Sequence, residues 1–216
     1  MILAHLSDLH LDGSAVRRQR FAEGLGWARR AGATHLLLTG DLTAYGHETE
    51  CHELAGILDA YWPKEAGLGR TVVPGNHDGW GPIDRILPKA RTEDLGEAVV
   101  VPLDTRYHRR ALVFRASGAV SEAGLGLVRH VATHCPDRPI VVAMHHSPER
   151  RWPFEALVGR SGMGALLEQL PQVHVACGHD HERRDVGRVH IAASIAHDPG
   201  ALRLYEASGG RFRVIA

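Results

Sequence analysis

The sequence predicts an α/β protein in which two β-sheets pack face to face, with helices on their outer sides. Its first part alternates short apolar runs with amphipathic stretches in the order βαβαβ, and its second part mixes short strands with helices. No linker, internal repeat or low-complexity segment separates the two parts, so two packed sheets would satisfy both. We therefore expect a single domain over residues 1–216, without a cap domain.

The first part contains three predicted strands and two predicted helices. The first helix follows from apolar residues at near-helical spacing, among them Phe21, Leu25 and Ala28, and Gly32 suits its C-terminal cap. The second helix stops before Pro63, because proline cannot continue a helix. The predicted elements are residues 2–6, 15–31, 35–39, 47–61 and 71–73.

The second part begins with a predicted loop that contains Pro82 and Pro88. Ser121 is a candidate N-cap for a helix that runs to about residue 134, and a shorter helix is predicted over residues 161–170. The predicted strands, of which the first two are expected to be antiparallel, are residues 98–101, 111–115, 139–144, 173–177, 189–193, 202–207 and 212–215.

Composition and charge exclude several classes of protein. The 25 Lys and Arg residues balance the 25 Asp and Glu residues, so no overall field attracts nucleic acid or an anionic membrane. The three cysteines form no Cys-x-x-Cys motif, which argues against a disulfide framework and a thiolate zinc site. The N-terminus lacks the basic segment and long apolar run of a signal peptide, so we expect a cytoplasmic protein that does not contact membranes. The count of 16 His is higher than packing alone requires.

Polar clusters follow five of the predicted strands. The central one is Pro-Gly-Asn-His-Asp at residues 74–78, where Gly75 allows a sharp turn. Open α/β folds place their ligand sites at such strand ends. The polar residues of the five clusters are Asp8 and His10, Asp41, Asn76 to Asp78, His145 and His146, and His179 and His181.

These residue types are typical ligands of Mn²⁺, Fe and Zn²⁺. Asp8 and His10 are two residues apart, so they would share a face in a strictly extended strand and can also bind one ion together where a strand ends. The same spacing recurs at His179 and His181. Two metals about 3.5–4 Å apart need a bridging carboxylate, and Asp41 is the one placed for that role. The predicted ligands are Asp8, His10, Asp41, Asn76, His145, His179 and His181.

Each of these positions also has a simpler interpretation. Asp8, Asp41 and Asn76 are ordinary turn residues in many proteins. His145 and His146 compete for one role, so one should be a ligand and the other an exposed residue or a support for a ligand. Histidines without a motif are interpreted as surface or satisfied core residues, namely His5, His35, His47, His52, His108, His130, His134, His174, His190 and His197.

The order Asp-x-His, Gly-Asp, Gly-Asn-His-Asp, His-His-x-Pro and Gly-His-x-His resembles the calcineurin-like metallophosphoesterases, over residues 7–181. Within them, His-Leu-Ser-Asp-Leu-His at residues 5–10 is most similar to the bacterial cyclic-nucleotide phosphodiesterases. The resemblance implies a four-layer α/β/β/α sandwich with a dinuclear centre. It assigns Asp8, His10 and His181 to the first metal, Asn76, His145 and His179 to the second, and Asp41 to the bridge. Ser147 departs from the family pattern, in which a proline often stands there.

The expected activity is hydrolysis of a small phosphodiester such as a cyclic nucleotide, by attack of a hydroxide that bridges the two metals. His77 does not fit the ligand count and is placed to protonate the leaving oxygen. Asp78, by the resemblance, orients a neighbouring ligand. Alternatives are a nuclease, favoured by several arginine clusters, a phosphomonoesterase and a non-catalytic scaffold.

Overall fold

The computed structural model describes residues 1–87, 90–107, 116–149, 155–198 and 200–216. One of its two large sheets has five strands, with the order β13-β12-β1-β2-β3 once these are numbered along the chain. The strands β1, β2 and β3 are parallel, and β12 is antiparallel to both of its neighbours. Their bounds are Ile2–Leu6 (β1), His35–Thr39 (β2), Gly69–Val73 (β3), Arg203–Ser208 (β12) and Arg211–Val214 (β13).

The other large sheet has six strands in the order β10-β11-β9-β7-β5-β4. Its four inner strands are parallel, and the strand at each edge is antiparallel to its neighbour. The bounds are Glu93–Asp94 (β4), Val99–Pro102 (β5), Ile140–Ala143 (β7), Val173–Cys177 (β9), Arg184–Val186 (β10) and Val189–Ile191 (β11). A separate parallel pair consists of Gly118–Ala119 (β6) and Leu157–Val158 (β8).

Helices cover the outer face of each large sheet. Phe21 and Leu25 of the first helix pack in one core with the first sheet, whereas Leu125 and Val128 of the fourth pack in another core with the second sheet. The helices are Ala15–Arg30 (α1), Glu48–Tyr61 (α2), Pro82–Ile86 (α3), Glu122–His134 (α4) and Arg160–Gln169 (α5), and Lys64–Ala66 forms a 3₁₀ turn. None of the helices in the described ranges is long and apolar enough to cross a bilayer.

In the central strands, alternate side chains point to opposite faces of the sheet and so enter two different cores. Leu36 and Leu38 of β2 contact the helices, while Leu37 enters a third core between the sheets. In the second sheet, Val142 faces the helices and Val141 faces the other sheet. This period of two is the pattern of strands buried on both faces. The arrangement confirms the four-layer α/β/β/α fold.

Some elements differ from the sequence-based prediction. Residues 82–86 form α3 rather than a loop, because Pro82 starts the helix and the Asp84 carboxylate accepts a hydrogen bond from Gly81 N. β5 pairs in parallel with β7, and its antiparallel neighbour is β4. The predicted partner strand at residues 111–115 lies outside the described residues. β10 was not predicted, because all three of its residues are exposed.

Candidate metal centre

The loops that follow β1, β2, β7 and β9 are joined to one another through their backbones. Asp8 N donates to Gly40 O at 3.0 Å, and His10 N donates to Asp41 O at 2.9 Å. Gly178 N donates to His145 O at 3.0 Å in the other sheet. The His179 N–H connects the two sheets, because it donates to Asp8 Oδ2 at 3.1 Å. Four of the predicted clusters therefore meet at one edge of the sandwich.

The backbone of these loops is strained at the predicted ligands. Within the described ranges, five residues other than glycine have a positive φ, between 45° and 71°. All five are predicted metal ligands: Asp8, His10, Asp41, His179 and His181. Left-handed conformations outside glycine cost energy and cluster at functional sites.

Three glycines allow the loops to approach each other. A Cβ at Gly40 would lie 2.5 Å from the imidazole Nδ1 of His145. A Cβ at Gly75 would overlap the Asp41 carboxylate, and one at Gly178 would overlap the Asp8 carboxylate. Each of these glycines directly precedes a candidate ligand in the sequence, and each lets its loop approach a neighbouring loop closely. This close approach explains the Gly-Asp, Gly-Asn and Gly-His pairs of the motifs.

One group of candidate ligands consists of Asp8, His10, Asp41 and His181, whose ligand atoms all lie within 4.8 Å of one another. His181 Nε2 is 3.2 Å from Asp8 Oδ1 and 3.2 Å from His10 Nε2. His10 Nε2 is 3.9 Å from Asp41 Oδ2. Asp8 and Asp41 are buried, whereas the side chain of His181 is 40% exposed, so the group opens to solvent on one side.

A second group surrounds His145. Its Nε2 lies 3.3 Å from Asp41 Oδ1 and 3.1 Å from Asn76 Oδ1. The ring of His179 is 5.0 Å from that of His145, measured between centroids. The two oxygens of Asp41 thus face different groups, Oδ2 toward His10 and Oδ1 toward His145. The structure brings all seven predicted ligands to this edge.

Hydrogen bonding fixes the tautomer of His145. Its Nδ1 is 2.8 Å from the carbonyl oxygen of Thr39. A carbonyl oxygen only accepts, so Nδ1 carries a proton and Nε2 is the nitrogen directed at Asp41 and Asn76. Metal-binding histidines typically donate their second N–H in this way.

Unpaired atoms at the site fit a bound cation. Asp8 Oδ1 and His179 Nε2 are buried, and neither has a hydrogen-bond partner. Buried polar atoms without a partner are rare in native proteins and call for an ion or water. The donor set of imidazole, carboxylate and amide suits divalent transition metals.

Electrostatics keep four of the candidate ligands in the forms that bind metal. Burial lowers the pKa of His10 and of His179 to about 4, so both rings are neutral near pH 7. Burial opposes ionisation of Asp8 and Asp41. The adjacent imidazole of His181 nevertheless holds the pKa of Asp8 below its usual value, and the positive charge of His145 does the same for the pKa of Asp41. Both carboxylates are therefore ionised. Against the effect of burial, the charge of Asp41 raises the pKa of His145 to about 9, so that ring would release a proton when an ion binds.

The two predicted catalytic residues occupy different environments. His77 is exposed, its ring lies 4.8 Å from that of His10, and its Nδ1 donates to Ala44 O at 2.9 Å. This contact leaves Nε2 as the nitrogen available to a substrate. Asp78 is fully buried and accepts hydrogen bonds from the backbone N–H groups of Leu42, Thr43 and Gly75. Burial and the charge of Asp41 raise the pKa of Asp78 to about 6. Asp78 touches the loops and not a reacting group, so it is a positioning residue.

Two further histidines lie beside the candidate ligands. His146 is buried with its ring 4.7 Å from that of His179, and it is not exposed as one alternative proposed. The His197 ring is 5.6 Å from that of His181, although its sequence context gave no signal. The other histidines without a motif that the structure describes are surface or satisfied core residues, as predicted, and His108 lies outside the described residues. His47, His52, His130 and His134 are exposed. In the core, His5 contacts Tyr205 Oη and Thr39 Oγ1, each at 2.7 Å.

Residues 1–183 match the family described as calcineurin-like phosphoesterases. Because this match covers most of the 216 residues, the chain belongs to the calcineurin-like phosphoesterase family. Family membership and the two groups of candidate ligands together indicate a metal-dependent phosphoric ester hydrolase. No curated protein matches the sequence.

Solved structures share the fold. A dimetal phosphatase from Danio rerio superposes with a TM-score of 0.77 at 12% sequence identity, covering 100% of this chain and 98% of that one. The protein TT1561 of Thermus thermophilus superposes with a TM-score of 0.61 at 13% identity, covering 99% and 97% of the two chains. At these identities the likeness concerns the fold alone.

Proposed function

We propose that this protein is a phosphodiesterase with two metal ions that hydrolyses a small substrate, of which cyclic nucleotides are the expected class. One observation carries the proposal: seven candidate ligands meet at one edge, with buried ligand atoms that lack a hydrogen-bond partner. The family supports phosphoester hydrolysis, and the name of the Danio rerio neighbour, a dimetal phosphatase, supports two ions.

The assignment of ligands follows the two groups. Asp8, His10 and His181 would hold the first ion, whereas Asn76, His145 and His179 would hold the second. Asp41 faces both groups through different oxygens, which supports its role as the bridge. When bound, the ions would neutralise phosphate charge and make water a better nucleophile near neutral pH. Mn²⁺ or Fe is expected, and Zn²⁺ is compatible with the same donors.

His77 would act as the general acid. Its Nδ1–H is held by Ala44 O, and its backbone N–H donates to Asp41 Oδ1 at 2.9 Å. Both contacts hold His77 beside His10, and its exposed ring leaves Nε2 available to a leaving oxygen. A proton on Nε2 can then pass to that oxygen as its bond to phosphorus breaks.

Among the described residues, the pairing of two arginines with other groups favours a diester over a monoester. A monoester carries a second negative charge, which a nearby cation would balance. Arg17 instead donates to His10 O and pairs with Asp12, and Arg106 pairs with Asp84 and Asp104. Neither guanidinium is directed at the candidate metal groups.

The arginine clusters that favoured a nuclease are partly occupied by structural contacts. Arg184 pairs with Asp180, and Arg188 donates to Leu170 O and Val173 O. The residues Arg109, Arg110, Arg150 and Arg151 lie outside the described residues.

The test is activity after metal exchange. Protein stripped by a chelator and reloaded with Mn²⁺ is assayed on cyclic nucleotides, glycerophosphodiesters, phosphomonoesters and DNA at two salt concentrations. We expect hydrolysis that needs the metal, favours small diesters and changes little with salt. A preference for DNA with a steep salt dependence would identify a nuclease instead. Loaded protein without hydrolysis would indicate a scaffold.

A further inference from the structure

His146 has no role in the proposed function, yet it is fully buried between candidate ligands. Its ring lies 4.8 Å from the ring of His145 and 4.7 Å from the ring of His179. The three side chains form a group whose ligand nitrogens all lie within 4.8 Å of one another. The sequence alone left open what the second histidine of the pair does.

The spacing of the three rings is that of imidazoles on a common ion. Metal–nitrogen bonds of about 2.0–2.1 Å put the centres of two such rings roughly 4.5–5.2 Å apart, for tetrahedral or octahedral angles. The three centroid distances among His145, His146 and His179 are 4.8, 5.0 and 4.7 Å. All three fall inside this interval.

Contacts around His146 leave one nitrogen for a ligand. Its Nδ1 is 2.8 Å from Thr105 Oγ1, a hydroxyl oxygen that can accept the Nδ1–H. Its Nε2 is buried and has no partner. Gly118 packs against the opposite part of the ring so closely that a Cβ there would overlap it. The ring is therefore held by Thr105 and Gly118 with Nε2 unpaired, and the ring of His145 is likewise held through Nδ1, by Thr39 O.

We infer that His146 is a third imidazole ligand of the second metal position, through Nε2, beside His145 and His179. This inference rests on the proposed function, because it adds a residue to that metal centre. The second position would then have three imidazoles, whereas the first has the two imidazoles of His10 and His181. Because imidazole suits transition metals and not Mg²⁺, the second position should discriminate more strongly against Mg²⁺.

A matched control for His146 exists elsewhere in the chain. His35 is also buried, contacts Thr71 Oγ1 at 2.8 Å and lies against Gly69, whose Cβ would be 2.5 Å from its Nδ1. His35 starts β2, whereas the candidate ligands follow the other end of that strand. His146→Phe and His35→Phe each remove a buried imidazole and leave a threonine hydroxyl, which contacts Nδ1 of His146 and Nε2 of His35. Only the first substitution lies at the proposed centre.

Two measurements on the full chain test the inference. Stripped protein is titrated with Mn²⁺. We expect His146→Phe to lower the affinity for one of the two ions by about 10–100-fold or more, whereas His35→Phe should bind both ions with the affinity of the wild type. In Co²⁺-loaded wild type, proton NMR should show five paramagnetically shifted, exchangeable imidazole N–H signals, from His10, His145, His146, His179 and His181. This count requires no variant to fold.

Absence of the His146 N–H signal, with those of the buried imidazoles of His10, His145 and His179 present, would overturn the inference, whatever the affinity of the variant. Unchanged affinity for both ions in a folded His146→Phe protein would also overturn it. In either case, a wild type that binds two ions and hydrolyses phosphoesters leaves the proposed function standing. A wild type that binds fewer than two ions would overturn the proposed function and the inference together.

Discussion

Replacing Gly178 by alanine should affect both the stability of the fold and the geometry of the candidate metal centre, and the two effects can be measured separately. The added Cβ would overlap Ser7 Oγ and Asp8 Oδ2 and lie 2.8 Å from Ser7 Cβ, where ordinary contacts begin at 3.4 Å. Gly178 is not among the residues with a positive φ, so alanine suits its backbone and only the collision matters. The Asp8 carboxylate or the loop after β9 has to move.

The expected loss of unfolding free energy follows from the overlap and from the hydrogen bonds that it would break. Overpacking typically costs about 1–3 kcal/mol. The Ser7 hydroxyl donates to Thr39 O at 2.9 Å, and the His179 N–H donates to Asp8 Oδ2 at 3.1 Å. Losing the first costs about 0.5–1.5 kcal/mol, and losing the second, which involves a charge, costs about 1.5–3 kcal/mol. Because the movement that relieves the overlap breaks these bonds, we expect the metal-free protein to lose at least their combined contribution, about 2–4.5 kcal/mol of unfolding free energy, on the scale of a core mutation.

Displacement of Asp8 should also weaken metal binding. If affinity falls by about 100-fold, saturating Mn²⁺ stabilises the variant by about 2.7 kcal/mol less than the wild type. Denaturant unfolding in EDTA and in Mn²⁺ measures both quantities. Gly126→Ala is the control, because its Cβ in α4 would have no neighbour within 4 Å and alanine favours a helix by up to about 1 kcal/mol. An equal Mn²⁺ increment in Gly178→Ala and wild type would refute the reasoning.

The remaining predictions concern metals and the general acid. Asp41→Asn should lower occupancy of both metal positions and His10→Ala mainly that of one, as measured by elemental analysis; loss of a single ion from Asp41→Asn would contradict the bridge. Mg²⁺ alone should reactivate stripped protein poorly compared with Mn²⁺, because it disfavours imidazole, and full recovery with Mg²⁺ would disprove this. His77→Ala should lose about 10²–10⁴-fold in kcat on an alkyl diester but much less on bis-p-nitrophenyl phosphate, whose leaving group needs no proton. Both metals should stay bound in that variant, and equal losses on the two substrates would exclude the acid role.

The sequence predicted the strands that carry the candidate ligands well, because these are short apolar runs ending in polar clusters. The bounds of β1, β2 and β9 agree residue for residue with the prediction. β10 was not predicted, because its exposed residues Arg184-Asp185-Val186 show no alternation of apolar and polar side chains. The Asp185 carboxylate pairs with the buried guanidinium of Arg203, which is distant in the sequence. Such pairing across the chain has no local signature.

The site was predictable as a set of residues but not as a geometry. The spacing of Asp8 and His10 suggested a shared face of an extended strand, or a grip at the strand end. The structure instead turns the backbone into the left-handed region at both residues, with φ of 54° and 45°. His146 could not be assigned either, since its role depends on contacts with Thr105 and Gly118, 41 and 28 positions away in the sequence.

The left-handed residues explain how the centre is organised before any metal binds. Each such conformation costs about 1–3 kcal/mol and persists only where surrounding contacts hold it. Here the N–H groups of Asp8 and His10 donate to Gly40 O and Asp41 O, and that of His179 donates to the Asp8 carboxylate. Because these bonds join backbone to backbone, or backbone to a ligand, they keep the ligands in place through the rigid parallel strands. Candidate ligands that are ordered on strand ends would need little rearrangement to receive an ion, so the strain would serve preorganisation of the proposed metal centre.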